Sequence, residues 1–412
     1  MRRFASLVAA LAFVAVPVQA QAAADPALVA KLGRYMRAAG SQSGAYVVNL
    51  TDAETVFAWR QTKPRTLASN TKLFTTATAL ARFGTAGTLG TEVRGSGTLE
   101  ETGVWRGDLY LHGGGDPTFG SRSFTRRAYG AGATVEDLAL ALDTAGIQRV
   151  SGRILGDESA FDPLRGGPDS GYSTSVWVGP LSGLAYNHGL GDERGRSFQV
   201  NPPVFAAARL DSALESRGIP VRAAPRSGVA PPGAAVLASV DSPPMADIVR
   251  MTNKPSDNYF AEMLLKNVGR EATGQGTTAG GAGVAADFAR ELGARVRLVD
   301  GSGLSRGDRA SPRGIVRLLA GMQARDEFDT WYASLPIAGR DGTLSARMRS
   351  GAARGRCHAK TGTLSNVSAL SGYCEALSGD LYAFSILMNG VYPPGARQLQ
   401  DRMAQALAAE RN

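Results

Sequence analysis

The hydrophobic patterning of this chain changes character twice, near residues 87 and 240, and any fold must accommodate that interruption. Ahead of it, Leu28, Leu32 and Met36 fall on one helical face within residues 25–39. Residues 45–50 and 54–59 then read as a strand pair around Thr51-Asp52, and Leu73, Ala77 and Leu80 restore helical spacing over 69–83. Between about 87 and 240, short strands (91–95, 108–112, 149–156) alternate with turns such as Gly113-Gly114-Gly115-Asp116-Pro117. Two helices, 135–145 and 204–217, lie inside that stretch, and Pro202-Pro203 and Pro231-Pro232 punctuate its later part. Helices resume at 243–253, with Ser242 expected as cap and Pro243 at the first helical position. Further helices follow at 256–268, 284–292 and 312–324, then strands at 357–364, 368–375 and 381–388, and a last helix at 395–410. The division expected is therefore one discontinuous domain, 25–90 with 240–412, interrupted by an α+β insert, 91–239. A chain of 412 residues is long enough for two to three domains.

Arg2 and Arg3 precede an apolar stretch from Leu7 to Val18, and Val18-Gln19-Ala20 offers small residues for cleavage. This is the layout of an export signal, residues 1–20 with cleavage as late as 24. The stretch is short for a membrane span, and no cysteine follows it to carry a lipid, so an exported, soluble mature protein without a transmembrane anchor is expected. The formal net charge of +9 suits an anionic wall or membrane surface, or simple solubility. Basic runs interleaved with aromatics are missing, which excludes a nucleic-acid partner. His112, His188 and His358 are scattered without ligand spacing, so neither a metal nor another cofactor is expected. A hairpin turning at Ser365-Asn366 would set Cys357 directly opposite Cys374, within reach of a disulfide in an oxidising compartment. The plainer alternative is a pair of buried thiols.

Three short polar segments carry the chemistry. In Ser69-Asn70-Thr71-Lys72, a helix start places the lysine ammonium one turn from the serine hydroxyl. A lysine whose pKa is lowered by desolvation can activate that hydroxyl, and the helix N-terminus offers N–H groups to an oxyanion. Ser256-Asp257-Asn258 also opens a helix. Ser256 there is either an ordinary cap or a proton relay, with Asn258 binding a substrate amide. Lys360-Thr361-Gly362-Thr363 lies on a strand, where the glycine allows close approach of a ligand. Lys360 and Thr361 would meet a carboxylate, and the Thr363 N–H would join that of Ser69 as an oxyanion donor. Each segment alone is weak; the three in this order form the set known from β-lactamases and penicillin-binding proteins.

With the long stretch between its first two members, the set resembles the class C low-molecular-mass penicillin-binding proteins, D-Ala-D-Ala carboxypeptidases and endopeptidases. Further segments look like that family: Met251-Thr252-Asn253-Lys254, Ala261-Glu262-Met263-Leu264-Leu265-Lys266, Asp300-Gly301-Ser302-Gly303-Leu304-Ser305-Arg306 and Ala338-Gly339-Arg340-Asp341-Gly342-Thr343-Leu344. So do Gly114-Gly115-Asp116-Pro117 and Gly156-Asp157. The resemblance covers nearly the whole mature chain. It implies an α/β (α+β) fold whose core, shared with serine β-lactamases and transpeptidases, is an antiparallel sheet flanked by helices and built from both chain ends. It implies acylation of Ser69 by peptidoglycan muropeptides or, covalently, by β-lactam antibiotics. It also implies contacts from Asp157 and Arg306 to the substrate side chain. The insert is shorter than in many relatives, which implies that a further subdomain found there is reduced or absent.

Three other readings compete. A serine β-lactamase shares the set, but the Glu-x-x-Leu-Asn segment used for rapid deacylation does not occur between Lys72 and Ser256. Gly303-Leu304-Ser305-Arg306-Gly307 imitates a nucleophile elbow, yet the loop 308–312 follows where a helix must start. A non-catalytic wall-binding protein would have little reason to keep all three segments intact.

Overall fold

The computed structural model describes residues 25–192 and 194–411; the expected export signal lies outside them. Helix α1 (Pro26–Ala38) starts where the Asp25 carboxylate accepts the Ala27 N–H, and it buries Leu28, Leu32 and Met36. Strands β1 (Gly44–Asn49) and β2 (Glu54–Trp59) pair antiparallel, and the short β3 (Arg65–Thr66) leads to helix α2 (Thr71–Phe83). In the middle stretch come β4 (Gly90–Leu99), β5 (Val104–Gly113), α3 (Arg122–Tyr129), α4 (Val135–Thr144) and β6 (Arg149–Asp157). Helix α5 (Pro202–Glu215), β7 (Val221–Ser227) and β8 (Ala235–Asp241) complete it. The chain then returns through helices α6 (Met245–Asn253), α7 (Asn258–Thr273) and α8 (Thr278–Glu291), the short strands β9 (Val296–Arg297) and β10 (Arg309–Ala310), and helices α9 (Pro312–Gln323) and α10 (Phe328–Ser334). It ends in β11 (Cys357–Leu364), β12 (Val367–Glu375), β13 (Leu381–Asn389) and helix α11 (Pro393–Ala408).

Both ends of the chain build one five-stranded antiparallel sheet, in the order β11-β12-β13-β1-β2. Strands β12 and β13 are buried along almost their whole length, as a sheet covered on both faces requires. Helices α1 and α11 share a core with one face, and α2, α6, α7, α9 and α10 share a core with the other. Met403 and Leu407 of α11 are fully buried there, so that helix serves the sheet and not a membrane surface. Among the described residues no helix is long and apolar enough to cross a membrane. The middle stretch forms a second five-stranded sheet, β7-β6-β5-β4-β8, mixed in direction, with α4 and α5 closing its own apolar core. Its way in and way out are tied together: the Ser242 hydroxyl accepts the Leu89 N–H, and Gly90 pairs with Asp241.

Several boundaries differ from those the sequence suggests, each for a local reason. Ser242 is not a helix cap, because its hydroxyl bonds Leu89 and the Pro243 carbonyl; α6 begins two residues later, after Pro244. Helix α7 is capped by Asp257 and not by Ser256. Helix α8 starts six residues before the expected Val284 because Gly281 is a contact, not a break. A β-carbon on Gly281 would run into the Leu265 carbonyl of α7. Strands β4 and β5 reach further than expected, through the facing glycines Gly97 and Gly107. The 122–129 and 328–334 helices, too short for a clear periodicity, are not legible in the sequence.

The β11–β12 register sets Cys357 against Cys374, and the two are joined by a disulfide. Closing a loop of this size stabilises the fold by about 3 kcal/mol through the unfolded chain. Replacing both cysteines by alanine should therefore lower the denaturant midpoint while leaving penicillin acylation of the folded protein unchanged. Unfolding curves read alongside labelling stoichiometry check both halves of that expectation.

Candidate active site

Ser69 sits in a single 3-10 turn, Ala68–Asn70, that runs directly into α2. Ala68 is held at φ 47°, a left-handed conformation that costs a non-glycine residue free energy. The turn is fixed from across the site: the Asn70 side-chain amide donates to the Lys360 carbonyl at 3.0 Å. One helical turn on, the Lys72 ammonium is completely buried and donates to three oxygens. These are Ser69 Oγ at 3.1 Å, Asn258 Oδ1 at 2.7 Å and the Ser302 carbonyl at 2.7 Å. Burial pulls its pKa down to about 8, against the opposing pull of Asp300, Asp257, Glu262 and Asp308.

Ser256 is a second residue at positive φ, 65°, immediately before the Asp257 cap of α7. Its hydroxyl accepts from Lys360 Nζ at 2.7 Å. Lys360 is buried too, and desolvation followed by the nearby Lys72 charge lowers its pKa well below the ordinary lysine value. It lies on β11, the edge strand of the sheet, beside Thr361, whose hydroxyl donates to Thr343 Oγ1 at 2.7 Å. Gly362 faces the serine turn: a β-carbon there would lie 2.9 Å from the Leu67 carbonyl oxygen and 3.1 Å from the Ser69 nitrogen. The close approach that the glycine permits is thus first of all between the edge strand and the backbone of the Ser69 turn. Thr363 is exposed, its hydroxyl accepting from Arg397 Nη2.

The structure therefore brings Ser69, Lys72, Ser256, Asn258, Lys360, Thr361 and Gly362 to one place. Asp157 is elsewhere engaged, at the end of β6 in the second sheet, bonded to His112, Ser159 N and Ala230 N. Arg306 binds the hairpin turn through Ser365 and Asn366. Ser305, the decoy nucleophile, uses its hydroxyl to accept the Gly307 N–H, and His358 is stacked on Tyr332 at 4.0 Å. Asn258 holds Lys72 and also donates to the Trp177 carbonyl at 3.0 Å, a contact from the middle stretch. That carbonyl, the Ser302 carbonyl and the Glu262 carboxylate behind it escaped sequence reasoning. The segments 261–266 and 300–306, which look like the family, were the only signals for Glu262 and Ser302.

A desolvated lysine bonded to a serine at the head of a helix, with a second lysine–serine pair on the adjoining edge strand, defines a serine acyl-transfer enzyme on a helix-flanked antiparallel sheet. The model of the D-Ala-D-Ala carboxypeptidase 3 (S13) family matches residues 27–192 and 190–410, and the chain belongs to that family of serine-type carboxypeptidases, within the class C low-molecular-mass penicillin-binding proteins. It is 31% identical over 451 residues to the D-alanyl-D-alanine carboxypeptidase of Actinomadura sp. (strain R39), covering 90% of this chain and 81% of the relative. It is also 31% identical over 385 residues to carboxypeptidase DacB of Mycolicibacterium smegmatis, covering 88% and 80%. Penicillin-binding protein 4 of Haemophilus influenzae shares the fold, with a TM-score of 0.75, 20% identity and coverage of 90% and 97%.

The seam between Gly362 and the serine turn leaves no room for a methyl group. Gly362→Ala should cost about 1–3 kcal/mol of stability by overpacking and slow penicillin acylation at least roughly tenfold by displacing the Ser69 nitrogen. Thermal unfolding and acylation rates check this; a variant of wild-type rate means the seam is not tight.

Proposed function

We propose that the enzyme cleaves the terminal D-Ala-D-Ala bond of peptidoglycan stem peptides through an ester at Ser69. The observation that carries this reading is the buried Lys72 ammonium lying 3.1 Å from Ser69 Oγ, with a pKa lowered to about 8. In its neutral form Lys72 takes the Ser69 proton, and Oγ attacks the carbonyl carbon of the penultimate D-Ala. The resulting oxyanion lies between the Ser69 and Thr363 N–H groups. Lys360 and Thr361 hold the terminal carboxylate, which also offsets the desolvation of the Lys360 charge. Ser256, bonded to Lys360, passes a proton to the nitrogen of the departing D-Ala and regains one from the Lys72 ammonium, so that Lys72 is neutral again and serves as base while water hydrolyses the ester. Asn258 orients both Lys72 and the substrate amide.

β-Lactams acylate Ser69 by the same steps; the Haemophilus influenzae protein has been solved with such a compound bound. We further infer that residues 25–90 with 240–412 form the catalytic domain and 91–239 an inserted one, a division supported by the separate sheet of the insert and the apolar core on it, while Ala160, Phe161, Val178, Leu181 and Ala185 of the insert join the catalytic core. Asp157 and Arg306 are carried by the family resemblance as contacts to the substrate side chain. The export-signal layout and the disulfide support action outside the cytoplasm, on the wall.

Mass spectrometry after penicillin treatment should find one adduct, on the Ser69 peptide, and none in Ser69→Ala. Muropeptide pentapeptides should lose one D-Ala. No adduct, or steady turnover of nitrocefin in place of one stoichiometric burst, defeats the reading. Because the base must be neutral, the acylation rate should rise about tenfold per pH unit below pH 8 and level off above it. A rate independent of pH between 6 and 9 excludes Lys72 as the base.

A further inference from the structure

The loop that supplies the third acceptor to Lys72 is built on buried carboxylates that the mechanism above does not use. The Ser302 carbonyl accepts from Lys72 Nζ at 2.7 Å, and the N–H of the same peptide unit, that of Gly303, donates to Asp300 Oδ1 at 2.7 Å. One peptide plane thus lies between a carboxylate and an ammonium, with its dipole aligned to both. Hydrogen bonds in such a chain polarise one another, so the carboxylate enriches the carbonyl oxygen that faces the lysine. The preceding peptide repeats the pattern. Ser302 N donates to Glu262 Oε1 at 2.9 Å, and the Gly301 carbonyl accepts from Thr75 Oγ1 at 2.8 Å. The loop can lie this close only because residue 303 is glycine, at φ 88°, where a β-carbon would collide with the Ala68 carbonyl.

Asp300 does not stand alone. Its Oδ2 accepts the Ser305 N–H, and Asp308 lies against it. Asp308 uses Oδ1 for the Val299 and Asp300 N–H groups, and its buried Oδ2 is turned to no other donor or acceptor. Two buried carboxyl groups in contact cannot both be charged. Burial and the Asp300 charge push Asp308 up to about 10, so it is the neutral member and donates to Asp300.

We propose that Asp300 is a positioning residue that sets the proton affinity of Lys72 through the Ser302–Gly303 peptide, with Asp308 as its protonated partner. The inference rests on the reading of Lys72 as the base. The other groups facing Lys72 are the carboxyl groups of Asp257, Glu262 and Asp308, the last of them protonated, and, on β11, the Lys360 ammonium. Burial followed by the Asp300 charge raises Glu262 to about 7.

The sign follows from the charge. Losing the Asp300 anion destabilises the Lys72 ammonium, so the base becomes neutral at lower pH. The test is the pH dependence, from about pH 5 to 10, of acylation by a chromogenic cephalosporin in the full-length mature protein. Asp300→Asn should acylate roughly tenfold more slowly at its plateau, with the acid limb moved down by on the order of one pH unit. Asp308→Asn, isosteric with the neutral carboxyl and still able to donate to Asp300, should keep the wild-type limb. A slower Asp300→Asn whose limb has not moved marks Asp300 as merely structural and overturns the proposal. A displaced limb in Asp308→Asn does the same, and that arm decides the matter if Asp300→Asn does not fold. Lys72→Ala separates the two levels. If it still acylates with the wild-type limb, the base assignment falls and this inference with it. If it is inert while Asp300→Asn keeps its limb, only this inference falls.

Discussion

A lysine ammonium with no exposure to solvent is held inside this protein by three oxygens from three distant parts of the chain. Burying a charge is costly unless every donor finds an acceptor, so the three contacts are conditions of folding as well as of chemistry. One comes from the turn that leads into the lysine's helix, one from the start of α7 and one from the loop before β10. The lysine proposed as the base is therefore also what fastens α2 to its neighbours. The lowered proton affinity that a base needs is the residue of that same desolvation, only partly compensated by the carboxylates behind the loop.

The second lysine follows the same logic from the sheet side. Lys360 is buried on an edge strand, where an unpaired backbone is a liability unless covered. Here the cover is the serine turn itself, bonded through Asn70 to the Lys360 carbonyl and pressed against Gly362. Two residues flanking this seam, Ala68 and Ser256, hold left-handed conformations. Strain of that kind persists only where surrounding contacts over-determine it, which is the condition of a site whose geometry must not relax between turnovers.

Much of this was legible in the sequence because the relevant signals are local. Helical spacing put Ser69 and Lys72 on one face, and strand alternation about Ser365-Asn366 gave the cysteine pairing residue for residue. What escaped was carried by backbone atoms or by long-range contact. A carbonyl such as that of Ser302 has no side-chain identity to read. The cap of α7 fell to Asp257 because Ser256 is turned toward Lys360 instead. The expected helix began at Val284, past Gly281, and only the Leu265 carbonyl of α7 beside that glycine shows why the helix needs it. The Arg306 guanidinium is bound to the β11–β12 turn, a contact that the sequence does not announce.

The orientation of Asn258 shows why the middle stretch is tied to the chemistry and is not merely appended to it. A primary amide can present either its oxygen or its nitrogen to a neighbour, and Lys72 requires the oxygen. The flip is decided by what meets the other side, and that is the Trp177 carbonyl, an acceptor that only the amide nitrogen can satisfy. His188, from the same stretch, stacks on Tyr259 at 4.4 Å, the residue next to Asn258 on α7. Two contacts from a separate sheet-bearing segment thus fix the first residues of the helix that holds the lysine. Without them, Lys72 alone would hold the amide in this orientation, and one of the three acceptors of a buried charge would be less firmly placed.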